Sequence, residues 1–214
     1  DVSMQMLNPA TYYGRGLAPM FFAIALWVFG ISVFLVVRPI TGRALAGRAS
    51  PVRLALTGWL PIGGIAVVGG LLMAAVVWVL LGLDPVHPFL FVALLVLAAC
   101  CFSAIAHLLR TALGEAGSSL LLVLLILQLA STGGTYPTPL LPGFFAALAP
   151  FMPITYLIVG FRIGIAGGEL NQLARDAAVL LVIVDAGQFS VGKTLAVGVC
   201  ARRLLLLGDP QQLP

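Results

Sequence analysis

The feature that most constrains this chain is a series of long apolar runs without a charged residue. They cover residues 17–37, 54–81 and 89–109, and a fourth begins near residue 119 and stays apolar to about residue 130. A helix that crosses a bilayer core needs about 20 such residues. Charged residues make up only 8% of the chain, too few to cover the surface of a soluble domain. The sequence therefore predicts an all-α, polytopic transmembrane bundle with four to five spans.

Basic residues between the runs predict the orientation of the bundle. The loop at residues 38–53 has no acidic residue and carries four arginines, which are Arg38, Arg43, Arg48 and Arg53. Short loops rich in Lys and Arg remain in the cytoplasm. The turn at residues 82–88, which has no Lys or Arg, is therefore placed outside, and the turn at residues 110–118 is placed inside.

Small and polar residues inside the runs have two interpretations each. Ala66, Gly70 and Ala74 recur every four residues, which favours close approach of another helix, although a Gly/Ala-rich helix also gives this spacing by chance. His107 is either a proton relay or a neutral side chain hydrogen-bonded to a neighbouring helix, and we favour the second. Gln128 either lines a polar path or bonds between helices, and bonding is again favoured.

The segment at residues 131–175 differs from the other runs because five prolines fall between Pro137 and Pro153. Prolines break helices, and the apolar stretches between them are too short to span. We expect short helices at the outer interface, or partly re-entrant ones. The candidate residues of this outer segment are Gly133, Gly134, Thr135, Tyr136, Pro137, Pro142, Pro153, Tyr156 and Arg162. Arg162 has three interpretations: it contacts lipid headgroups, it contacts an acidic partner domain, or it is a solvated surface arginine.

A fifth apolar run begins at residue 177 and is uninterrupted only to residue 184, so the last span is expected to be compromised. Asp185 and Lys193 lie beyond it. The stretch GQFSVGKT fits the phosphate-loop pattern through Gly187, Gly192, Lys193 and Thr194, with an apolar strand expected before it and a helix after it. A chance match is the favoured interpretation, because a nucleotide-binding domain needs more strands.

The stretch GGTYPTPLLPGFFAALAPFMPITYLIVGFR resembles the outer segment of the YhgE/Pip (phage infection protein) family, which is related to the ABC-2 type permeases. The loop at residues 38–53 and the turn GLDPVHP are similar to it too, and the resemblance covers about residues 10–183. It implies a six-helix membrane domain, of which the last five helices are here and an N-terminal part is missing. It also implies a multi-pass protein of the bacterial plasma membrane, with a separate ATPase subunit as one partner.

The tail at residues 184–214 departs from that family. It resembles the stretch of superfamily 1 DNA helicases from the acidic box to the GDPQQL motif, but Ala186 follows Asp185 where that family has Glu. About thirty residues cannot form a helicase core. We therefore predict two parts: a membrane domain at residues 1–183 and a foreign-looking tail that is not an independent domain, as in a chimera.

Taken together, the sequence predicts the membrane domain of an envelope export or permease-like protein. It has no catalytic, metal or cofactor residue to assign and is not expected to be an enzyme. Its expected partners are the lipid bilayer and other membrane helices, either from a second copy or from the missing N-terminal region, and not nucleic acid. The alternatives are a non-transporting scaffold, secretion accessory or phage-entry receptor, and, less favoured, a nucleotide-binding protein acting through the tail.

Overall fold

The computed structural model of the protein describes residues 13–37, 51–132 and 141–207, and every regular element within these ranges is helical. The elements are α1 (Tyr13–Val36), α2 (Pro51–Leu80), α3 (Pro88–Leu113), α4 (Glu115–Ser131), α5 (Gly143–Leu148), a 3₁₀ turn (Ala149–Phe151), α6 (Pro153–Ala166) and α7 (Leu170–Leu207). Stretches of α1, α2, α3 and α7 are long and apolar enough to cross a membrane. The predicted polytopic helical bundle is confirmed.

The helix α7 corrects the expectation of a compromised last span. It begins at Leu170, seven residues before the predicted start, and the stretch Leu170–Val197 is apolar enough to cross a membrane. A helix rises about 1.5 Å per residue, so a span that starts at Leu170 has advanced about 35 Å when it reaches Lys193, which is past a bilayer core of about 30 Å. The predicted start at residue 177 was wrong because Arg175 and Asp176 were taken to precede the helix, whereas they lie in its first two turns.

The connection between α3 and α4 is tighter than the polar turn predicted at residues 110–118. The helix α3 continues to Leu113, Gly114 alone breaks it with a φ of +60°, and α4 starts at the next residue. The side chain of Arg110 donates to the Ser118 hydroxyl at 2.5 Å across this hairpin. A further correction is that α4 has 17 residues and is shorter than the spanning helices, although a full span was predicted there.

The predicted loop at residues 38–53 is shorter at its end, because α2 already begins at Pro51 and Arg53 lies in its first turn. Three of the four arginines of this loop, Arg38, Arg43 and Arg48, lie outside the described residues. Residues 133–137 of the predicted outer segment lie outside them too.

The helix α3 is the centre of the bundle and packs against α1, α2, α4, α6 and α7. Phe91 of α3 is fully buried, and its ring centroid lies 5.4 Å from those of Phe22 in α1 and Phe161 in α6. Lipid tails are as apolar as these rings, so burial here stabilises the fold through close packing and not through removal of apolar surface from water.

Hydrogen bonds define one end of the bundle, which we name the Asp84 end. The Arg15 guanidinium donates to the carbonyl oxygens of Asp84 and Ile165 at 2.7 and 2.9 Å. The backbone amides of Val86 and His87 donate to Ile165 and Gly164 at 3.2 and 3.0 Å. The start of α1, the α2–α3 turn and the end of α6 therefore meet there.

The opposite end, which we name the Arg53 end, is marked by a small apolar cluster of Leu54, Ala55, Val191 and Leu195. It joins the start of α2 to the later part of α7. The helix α7 thus begins at the Asp84 end, where α6 finishes, and runs to the Arg53 end.

The α5–α6 segment is interrupted and sharply bent. The stretches Gly143–Phe151 and Pro153–Ala166 are bent by 77° at residue 152. Ile154, at the start of α6, is fully buried, and α6 then returns to the Asp84 end. The bend fits the partly re-entrant arrangement that the sequence allowed, and it fits a broken span equally. The helix α6 is not interfacial, because one face of it packs into the bundle core.

Candidate functional site

The break between α5 and α6 places irregular backbone at the level of buried side chains. Pro150 and Pro153 flank the break, and Met152 between them is extended, with φ −94° and ψ 117°. Backbone N–H and C=O groups that are not bonded within a helix need other partners inside a bilayer, because lipid provides none. The amide of Ile154 is one such group, since the first N–H groups of a helix have no partner within it.

Three side chains provide hydrogen bonds at this break. The Gln128 side chain of α4, 1% exposed, accepts from the Ile154 amide at 3.3 Å between Oε1 and N. The Thr155 hydroxyl donates to the Ala149 carbonyl at 2.9 Å, and the Tyr156 hydroxyl donates to the Pro150 carbonyl at 2.7 Å. Met152, in the capping position, makes no capping bond from its own side chain. Gln128 therefore caps α6 from another helix, which confirms its predicted role in bonding between helices.

Two glycines let α6 lie close to α3. A Cβ atom at Gly160 would come within 2.6 Å of the Leu94 side chain, and one at Gly164 would lie 3.5 Å from the Phe91 Cβ atom. The two glycines are four residues apart and form a G-x-x-x-G pattern, which is typical of closely packed membrane helices. Our sequence analysis missed this pair, although the spacing was visible.

The predicted small-residue face of α2 lies toward α1 and α3. Ala66 and Ala74 are 2% and 3% exposed. A Cβ atom at Gly70 would come within 2.9 Å of Leu26 in α1 and 3.1 Å of Leu95 in α3. The face is thus occupied within the chain.

The predicted residues of the outer segment separate into distinct places. Pro142 is exposed before α5, and Pro153 is buried as the first residue of α6. Tyr156 is half-buried at the break, and Arg162 is exposed near the end of α6. The candidates Gly133, Gly134, Thr135, Tyr136 and Pro137 lie outside the described residues.

A second group of buried polar atoms lies on α3 and α7, two helices that pack against each other. His107 is fully buried, and neither of its ring nitrogens has a hydrogen-bond partner among the described residues. The same holds for both polar atoms of the Gln188 side chain. A Cβ atom at Gly187 would lie 3.6 Å from the Ala104 Cβ atom, which fixes the register of the two helices. His107 lies three residues beyond Ala104, and Gln188 lies one residue beyond Gly187. The two side chains therefore differ in depth along the bundle by about 3 Å.

The expected hydrogen bond from His107 to a neighbouring helix is therefore not found in the described part of the chain. Its ring instead meets the Phe34 ring edge-on, with 6.1 Å between the centroids. Within the same residues, no group of three or more His, Cys, Asp or Glu side chains is placed to hold a metal ion.

The residues of the phosphate-loop pattern lie inside α7, so the strand–loop–helix context that a true phosphate loop needs is not found there. Gly187, Gly192, Lys193 and Thr194 belong to one continuous helix. The Lys193 ammonium lies 4.7 Å from the centre of the Phe189 ring, and the Thr194 hydroxyl donates to the Ser190 carbonyl at 3.0 Å. A phosphate loop needs free backbone N–H groups that surround the phosphates, and helix geometry directs those groups along the axis instead.

Comparison with known proteins adds two matches. The profile of a family described as "ABC-2 family transporter protein" matches residues 2–184. The chain is also 30% identical over 176 residues to a protein named "Uncharacterized protein YhgE" of Bacillus subtilis (strain 168). The aligned part is 80% of this chain and 22% of that relative, so the chain spans about a fifth of the relative's length. No solved structure matches the chain.

Proposed function

The chain belongs to the ABC-2 family of transporter proteins, and from that premise we propose that it is the membrane domain of an export protein of the bacterial plasma membrane. It is a multi-pass, permease-like membrane component. In the proposed role it performs no chemistry of its own and moves a substrate by rearranging packed helices. A separate ATPase subunit provides the energy.

The observation that carries this proposal is the half-length helix α6 inside the bundle. Interrupted helices are a recurring feature of transporters, where the free backbone groups at the interruption hold substrates or ions. The contact of α6 with α3 is made at Gly160 and Gly164, where the two helices pack closely.

The buried polar groups support a path between α3 and α7. His107 and Gln188 lie at closely similar depth on adjoining helices, and their polar atoms have no partner within the described residues. Keeping polar groups unpaired in lipid is costly, and such groups in membrane helices commonly mark substrate or ion pathways. A rearrangement of α7 against α3 changes the surroundings of both side chains.

The Arg53 end is the proposed docking place for the ATPase subunit. Arg53 and Arg110 lie near this end, and the basic loop at residues 38–53 predicts that it faces the cytoplasm, where ATP is available. Charge complementarity with an acidic subunit surface would guide the association.

A disulfide between α3 and α7 tests the proposal. Ala104→Cys and Gly187→Cys place two Cβ atoms 3.6 Å apart, within the usual range for a disulfide. The pair is introduced into the full-length protein after the three native cysteines, Cys100, Cys101 and Cys200, are replaced by alanine. Mass spectrometry of the medium then compares cells with the locked protein, cells with either single variant, and cells without the protein.

The expected result is at least one compound whose release requires the protein, falls when the disulfide forms and returns after reduction. Release that is equal in locked and reduced cells would contradict transport by helix rearrangement. A protein-dependent phenotype that survives the lock would instead support the alternative of a non-transporting scaffold, secretion accessory or phage-entry receptor.

We also propose that residues 1–183 form the membrane domain and that residues 184–214 do not form a domain of their own. The family match stops at residue 184, which supports a junction there. The helix α7 runs through that point without a break, and Val191 and Leu195 pack against α2, which supports the absence of a separate domain. Continuous sequencing of the gene across residue 184 tests the foreign origin of the tail, and an uninterrupted native reading frame in independent isolates would refute it.

A further inference from the structure

A cavity of about 320 Å³ lies between α1 and α6 at the Asp84 end, and two arginines line it. Arg15 lies in the first turn of α1, and Arg162 lies one turn before the end of α6. The rest of the lining is small or apolar and includes Pro19, Val159 and Ile163. No acidic side chain from the described residues lines the cavity.

The polarity of this cavity changes with depth. A helix rises 1.5 Å per residue, so Arg162 lies about 6 Å below the end of α6, and Val159 lies about 10 Å below it. On α1, Pro19 lies one turn deeper than Arg15. The candidate spans begin or end at this end of the bundle, so we place the cations near the level of the headgroups and the apolar floor in the hydrocarbon. This gradient matches a ligand that has an anionic head and an apolar tail.

The two arginines differ in their surroundings. The Arg15 guanidinium is fixed by the carbonyl oxygens of Asp84 and Ile165. Arg162 is exposed and makes no hydrogen bond or ion pair with any residue that the structure describes. Two acidic residues, Asp84 in the α2–α3 turn and Glu169 just before α7, belong to the chain segments at this end, and neither lines the cavity. A guanidinium at this depth is stabilised by an anionic partner.

A phosphate group has the right chemistry to be that partner. Its oxygens accept two parallel hydrogen bonds from the N–H groups of the planar guanidinium. Such charge-assisted bonds are stronger than hydrogen bonds between neutral groups. We propose that the cavity binds the phosphate-bearing head of an anionic phospholipid. Arg162 is the main ligand, Arg15 adds a second positive charge, and the upper part of an acyl chain rests on Pro19 and Val159. This site does not depend on the proposed transport function.

The test measures which lipid stays bound to the purified full-length chain. The protein is extracted into detergent with equal amounts of phosphatidylglycerol and phosphatidylcholine, and native mass spectrometry counts the lipids retained. Arg162→Gln removes the charge, Arg162→Lys keeps it without the bidentate geometry, and Arg175→Gln removes an exposed arginine of α7 that does not line the cavity. Thermal unfolding of each variant establishes that it is folded.

The wild type is expected to retain phosphatidylglycerol in preference to phosphatidylcholine. Arg162→Gln should weaken that retention by about tenfold, since one charge-assisted pair is lost, and Arg162→Lys should fall between the two. Arg175→Gln should match the wild type. Equal retention by Arg162→Gln and the wild type, or an equal loss in Arg175→Gln, would overturn the proposal.

A parallel arm replaces the lipid with inorganic phosphate and measures thermal stability. If inorganic phosphate stabilises the wild type through Arg162 while phosphatidylglycerol shows no preference, the ligand is a free anion and the lipid assignment is overturned. If only the lipid shows the Arg162-dependent effect, the assignment to a phospholipid head is supported.

Discussion

Replacing Gln128 by methionine should destabilise the bundle by removing the cap of α6. Methionine has a similar length and volume but no strong acceptor, so Gln128→Met leaves the Ile154 amide without a partner in a fully buried place. The N–O distance of 3.3 Å is long for such a bond. The loss therefore comes mainly from leaving the Ile154 N–H group unpaired. The bond itself contributes less, because polar contacts between membrane helices average about 0.6 kcal/mol. We expect a loss of about 1–2 kcal/mol.

The assay is reversible unfolding in mixed micelles titrated with a denaturing detergent. Gln172→Met is the matched control, because Gln172 is exposed on α7 and should change stability little. Hydrogen exchange at the Ile154 amide gives a local measurement, and Gln128→Met should speed it. Tyr156→Phe, which removes the bond to the Pro150 carbonyl, should cost less than Gln128→Met because Pro150 is exposed and its carbonyl can find water or headgroups.

The reasoning would be refuted by either of two results. One is a Gln128→Met protein whose stability lies within about 0.3 kcal/mol of the wild type, which is the usual error of such comparisons, with unchanged exchange at Ile154. The other is a larger loss for Tyr156→Phe than for Gln128→Met, because burial would then not determine the cost.

Three further substitutions have defined outcomes in the same unfolding assay. Gly117→Val should cost about 1–3 kcal/mol, because a Cβ atom there overlaps the Leu109 carbonyl oxygen; an unchanged midpoint would show that the hairpin opens freely. His107→Leu should leave stability equal or raised, since no hydrogen bond to a described residue is lost, and a clear loss would reveal a partner for the ring. Trp59→Phe should cost up to about 1.7 kcal/mol by removing the 3.1 Å bond from the indole N–H to the Ser103 hydroxyl, and it should make Ser103→Ala cheaper when the two are combined.

The apolar runs predicted α1, α2 and α3 with boundaries close to those observed, because lipid leaves the backbone of an uncharged run no alternative to a helix. The same logic failed at α7, where Asp176 was taken as the boundary of the span. That carboxylate lies on a largely buried face of the helix, and the sequence alone does not tell on which face of a helix a single acid lies.

The site at the α5–α6 break was only partly predictable. Five prolines predicted interrupted helices, and re-entry was one of the two arrangements they allowed. The bond from Gln128 to Ile154 was not predictable in detail, because it joins residues 26 apart across a change of direction that depends on tertiary packing. Gly160 and Gly164 could have been found, since their spacing carries the same meaning as that of Ala66, Gly70 and Ala74.

The hydrogen bonds at the two ends of α6 also indicate which end moves. Among the described residues, the final turn receives the side chain of Arg15 and the amides of Val86 and His87. Within the described ranges, the first turn is joined to another helix by one long bond, which runs from the Ile154 amide to Gln128. The glycine contacts between the two ends add packing but no bond that resists rotation. A displacement of α6 should therefore pivot about the Asp84 end and open its first turn.

This asymmetry can be measured by pulsed electron resonance between spin labels on the full-length protein. Leu72, exposed on α2, is the reference position, and the second label is placed either at exposed Phe151 or at exposed Glu169. The distance distribution to residue 151 should be the broader one, and Gln128→Met should broaden it further while leaving the distribution to residue 169 unchanged. Equal widths would show that neither end of α6 moves more than the other, and broadening at residue 169 alone would place the pivot at the opposite end. Either result would remove the physical basis for opening the bundle at the α5–α6 break.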